Sequence, residues 1–94
     1  MARVTLSPEA VVEAKALLAA DGLDGVDPAR RVLRIGIGSC GLRRPVASAT
    51  LPEPGDERLE VDGMPIAIAS TLTGEFHLGV GRGRFGAWLT VEQR

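Results

Sequence analysis

The segment RLEVDGMPIAIA, Arg58 to Ala69, constrains this chain more than any other stretch. Two alternating runs flank Asp62-Gly63, the kind of dipeptide preferred in a two-residue hairpin turn, where both central residues take positive φ. An antiparallel hairpin near residue 62 follows, and the remaining elements must build around it. Pro65 lies in the second run. Because proline has no N–H to give to a ladder, its strand is expected at a sheet edge or at a bulge.

Upstream, Val4, Thr5 and Leu6 make a short β-prone entry. Ser7 then suits a helix N-cap, Pro8 the first helical position and Glu9 the first turn. Val11, Ala14, Leu17 and Leu18 share one face at helical spacing, which predicts a helix over about residues 8–20 with Gly22 as its stop. DGLDGVDPAR is a turn-rich connector. In RVLRIGIG, Leu33, Ile35 and Ile37 are expected on one face of a strand, and Val32, Arg34 and Gly36 on the other. PVASATL predicts a second strand of small residues, and LPEPGDE a polar turn. FHLGV and AWLTV predict two more strands, separated by GRGRFG. No repeat or low-complexity tract interrupts the order. The expected fold class is α+β and β-rich, a single domain over residues 1–94 with one N-terminal helix packed on short, mostly antiparallel strands.

Composition removes several function classes. The 94 residues carry a formal net charge of -1, so there is no basic footprint for nucleic acid. Phe76, Phe85 and Trp88 are the only aromatic residues, too few for a base-stacking surface. No apolar run approaches a membrane span, and MARVTLSPEA has no signal-peptide core. One cysteine cannot form an internal disulfide, and a reducing cytoplasm is the expected compartment.

Four features bear on chemistry. Gly81, Gly83 and Gly86 in GRGRFG match the dinucleotide spacing, but a strand and not a helix follows them, so a glycine-rich turn or bulge is expected. His77 alternates with Phe76 and Leu78 and reads as a half-exposed structural histidine. Asp56, Glu57, Glu60 and Asp62 cluster at turns, where carboxylates are solvated or capping. Cys40, in GIGSCGLRRP, has Gly38 and Gly41 around it and Arg43 and Arg44 behind it. Those neighbours suit an accessible thiol of lowered pKa, whereas free cysteine in general is among the most buried residue types. The residues alone leave both readings open.

Taken in order, VTLSPEAVVEAKALL, LRIGIGSCG and LPEPGDERLEVDGMPIAIAS resemble the HesB/IscA-like family of A-type iron–sulfur carriers, over about Val4 to Ala69 and more loosely beyond. The resemblance implies a partly open barrel or sandwich of meandering strands, a carrier and not an enzyme. It also implies Cys40 as a metal or cluster ligand, in a loop shaped by Gly38, Ser39 and Gly41. The family's carriers add two cysteines near the C-terminus, and AWLTVEQR contains none. A shorter HesB-like branch carries a dithiol in this loop, and its first position here is Ser39. An iron–sulfur cluster or iron shared between protomers of a homodimer, with iron–sulfur assembly proteins as partners, is the implied cofactor and partner set. The alternatives are a single-thiol redox-responsive protein and a metal-free binding or scaffold module on the same fold.

Overall fold

The computed structural model describes residues 2–20, 28–38 and 44–94. Strand β1 (Arg3–Leu6) leads directly into helix α1 (Pro8–Ala19). Ser7 makes the change of direction, its Oγ accepting a hydrogen bond from the Ala10 N–H at 3.1 Å. Pro8 and Glu9 occupy the first turn as expected, where a missing N–H costs nothing and a carboxylate faces the positive end of the helix dipole. The buried face consists of Ala10 and Ala14, with Val11 and Leu18 packed at its margin. These small side chains let the helix lie close to the strands. Gly22, the expected stop, is outside the described residues; Ala20 is already extended.

A 3-10 turn (Pro28–Arg30) precedes β2 (Val32–Ile37), followed by β3 (Pro45–Thr50), β4 (Glu57–Val61) and β5 (Met64–Ile68). These four strands form one sheet in the order β3-β2-β5-β4. The last two strands, β6 (Glu75–Gly83) and β7 (Gly86–Gln93), form a second sheet with β1, in the order β1-β6-β7. Pairings β2–β3, β4–β5 and β6–β7 are antiparallel, while β1–β6 and β2–β5 are parallel. Neither sheet closes into a barrel. Leu33, Ile35, Ile66, Ile68, Phe76 and Leu78 are each 1% exposed or less, so the core joins β2, β5 and β6. At about 1.5–3 kcal/mol for each large apolar side chain buried, this cluster carries most of the drive to fold.

Of the three residues expected to share one face of β2, Leu33 and Ile35 are buried, while Ile37, beyond the β5 pairing, is 46% exposed. Of the other set, Val32 and Gly36 are buried and Arg34 is half-buried. One expectation needs correction. Pro65 lies in β5, which is an interior strand and not an edge. Pairing with β2 begins only at Ile66, while Val61 and Met64 close the hairpin on the other side. The Pro65 nitrogen therefore points to a flank where no ladder bond is lost. The hairpin turn itself is as expected: Asp62 and Gly63 have φ of 52° and 78°, the signature of a type I′ turn.

Candidate functional site

At the far end of β2 and β3, the Gly38 N–H donates to the Arg44 carbonyl at 3.2 Å, just beyond the register pair Ile37 and Pro45. Residues 39–43 connect these two points and lie outside the described residues, Ser39, Cys40, Gly41 and Arg43 among them. The frame that carries the loop is defined. A Cβ on Gly38 would come 3.3 Å from Val46 Cγ1, so a larger residue there would press on Val46. Ile37 and Val46 form half-exposed apolar shoulders, and Arg44 is exposed. Of the two arginines expected to tune Cys40, Arg44 contributes its carbonyl to loop closure.

The strongest electrostatic feature on this face of β2 is one the sequence reading missed. Arg34 runs along the strand so closely that a Cβ on Gly36 would sit 2.6 Å from its Nη1. Its Nε donates to Asp56 Oδ2 at 2.8 Å and its Nη2 to Oδ1 at 3.1 Å, a bidentate pair, and Nη2 also lies 2.8 Å from Glu53 Oε2. The Asp56 side chain is 3% exposed, far from the solvated carboxylate expected. It does cap its turn as well, accepting from the Glu53 N–H at 2.9 Å. The Arg34 hydrogen bond holds the Asp56 carboxyl below its ordinary pKa, against the opposing effect of burial and with help from the Glu53 amide. The same bond raises Arg34. A signal was available: Arg34 is the only charged residue in a six-residue strand, and a cation there demands a counter-charge.

This pair gives GDERLEVDG a physical meaning. Gly55 (φ 89°) and Gly63 (φ 78°) turn the chain, and Asp56 anchors the loop to β2, while Glu60 stays exposed. Glu57 accepts from the Ala2 N–H and ties down the start of β1.

The remaining candidates fall elsewhere. His77 is half-buried on β6, its Nδ1 2.8 Å from Thr5 Oγ1 across the parallel pair, beside a cavity of about 160 Å³ also lined by Arg3, Glu75 and Arg94. GRGRFG forms the tip of the β6–β7 hairpin, with Arg84 and Phe85 in the turn. Since β7 and not a helix follows, its glycines cannot cradle a dinucleotide phosphate on a helix N-terminus. Among the described residues, no three His, Cys, Asp or Glu side chains gather as a metal site. None of their helices is long and apolar enough to cross a membrane.

The described elements agree with the HesB/IscA-like fold that the resemblance implied. Solved structures share that fold. The chain superposes on Escherichia coli SufA, described as involved in biosynthesis of iron–sulfur clusters, with a TM-score of 0.69 and 17% identity over 97% of this chain and 85% of that one. It superposes on IscA with its [2Fe-2S] cluster with a TM-score of 0.62 and 24% identity, over 96% and 84% of the two chains. No family model and no curated protein matches the sequence.

Proposed function

We propose that this protein works in iron–sulfur cluster assembly in the cytoplasm, holding iron or a cluster as labile cargo between two copies of the chain through Cys40 of each. The observation that carries this reading is the fold shared with SufA and IscA along nearly the whole chain. A cluster needs about four ligands, chiefly thiolates. This chain has one cysteine, so a single protomer offers one thiolate. A two-fold pair supplies two thiolates and leaves two positions for small thiols, a carboxylate or His77. Gly38, Ser39 and Gly41 shape the loop that presents the thiol.

Anaerobic incubation with ferrous iron and sulfide, followed by desalting and a visible spectrum, tests the role of Cys40. Wild type retains charge-transfer absorbance and Cys40→Ser loses it. Equal colour in the two proteins, or none in either, would remove the carrier reading. In the latter case, an alkylation rate that titrates well below the ordinary cysteine pKa of about 8.5 would favour a redox-responsive thiol.

A further inference from the structure

Strand β4 is an edge of the four-stranded sheet, with β5 on one side and no strand paired to it on the other among the described residues. Val61 and Met64 close the two-residue turn, so Val61, Leu59 and Glu57 direct their backbone groups toward β5. Arg58 and Glu60 direct theirs outward. Among the described residues, no hydrogen bond outside the ladders reaches the main chain of either, and neither side chain makes an ion pair. Arg58 does act on Asp56 at longer range, but Arg34 already engages that carboxylate. The Arg58 and Glu60 side chains are exposed on one face, while Glu57, Leu59 and Val61 are half-buried on the other. Glu57 is tied by its carboxylate to the Ala2 N–H, away from the outward-directed pair.

We propose that this edge pairs with the same edge of a second copy of the chain, antiparallel, about a two-fold axis at Leu59. In that register the outward backbone groups of Arg58 meet those of the partner's Glu60, and Glu60 meets the partner's Arg58, each pair exchanging both of its main-chain hydrogen bonds. The same pairs set guanidinium opposite carboxylate on the exposed face, and Leu59 meets Leu59 on the other. Sliding the copies by two residues in either direction sets Arg58 against Arg58 or Glu60 against Glu60, which repel. The edge is therefore complementary to itself in one register. An unpaired edge is a template for another strand, and the charges along it select which strand it accepts. Stable interfaces bury about 1,200–2,000 Å² and engage roughly twenty or more residues a side. This strand has five, so the pairing is transient and the chain is monomeric at micromolar concentration. β4 is the edge opposite β3, and its pairing depends on neither Cys40 nor the proposed cargo.

Sedimentation velocity of the full chain, reduced and held metal-free with a chelator, tests it. From micromolar to millimolar concentration the average sedimentation coefficient rises from the monomer value toward that of a dimer. Glu60→Arg alone and Arg58→Glu alone each stay monomeric over that range, with far-UV circular dichroism like the wild type, because each sets like charges opposite one another. An equimolar mixture of the two variants associates again, since each now carries the charges the other lacks. The proposal is overturned if the wild type shows no concentration dependence, or if either variant alone associates as the wild type does. It is equally overturned if the two folded variants fail to associate when mixed.

Discussion

Asp56 is almost wholly withdrawn from water yet remains charged, because Arg34 meets both its carboxylate oxygens. Removing that charge leaves a guanidinium, itself only 19% exposed, with Glu53 as its remaining carboxylate. Asp56→Ala is expected to cost about 1.5–3 kcal/mol, the range for hydrogen bonds to charged groups, read as a lower urea midpoint at unchanged slope. The pH dependence has a defined sign. The folded-state pKa of Asp56 lies below its unfolded value, near 3.9, so its contribution is complete above that value and fades as pH falls through the folded pKa. Between pH 5 and pH 2 the wild type should therefore lose more stability than Asp56→Asn. Parallel loss in the two proteins would show that the ion pair adds nothing. This residue was not legible in the sequence because Arg34 and Asp56 are 22 positions apart, and nothing in a Pro/Gly turn announces which strand it will cover.

Among the elements, the β4–β5 hairpin was fully legible, since its turn chemistry and its alternation are local. Gly63→Ala puts a Cβ at φ 78° and should cost about 1–2 kcal/mol, measured by thermal or urea unfolding. A cost near zero would contradict the type I′ assignment. The β6–β7 hairpin was legible only in part: FHLGV revealed the start of β6, but Gly79, Gly81 and Gly83 carry no side chains to show that alternation continues to residue 83. Those glycines have a packing role. A Cβ on Gly81 would come 2.5 Å from the Trp88 ring, its register partner on β7. Gly81→Ala should push the ring outward and shift its emission to longer wavelength. Trp88 is the sole tryptophan, so the spectrum reports this one contact. An unchanged emission maximum would mean that the ring does not rest on the strand.

Across the whole molecule, antiparallel neighbours could be read from the sequence, whereas the parallel pairs could not. β1 finds β6 across some seventy residues, Arg3 opposite Glu75, and β2 finds β5 past two intervening strands, β3 and β4. No periodicity encodes such pairings; they follow from burying Leu33, Ile35, Ile66, Ile68, Phe76 and Leu78 together. The ordered resemblance to A-type carriers supplied the fold because its motifs are largely architectural, as Gly55, Asp56 and Gly63 show. It also pointed to Cys40, which lies outside the described residues. On the proposed reading, one thiol per chain makes cargo binding a property of two chains. The direct measurement is iron and sulfide content together with native mass, taken anaerobically after reconstitution and size exclusion. A shared [2Fe-2S] cluster gives about one iron and one sulfide per chain in a dimer that falls apart to metal-free monomers on chelation. Iron bound at that content by a monomer, or a metal-free dimer of equal stability, would contradict the account.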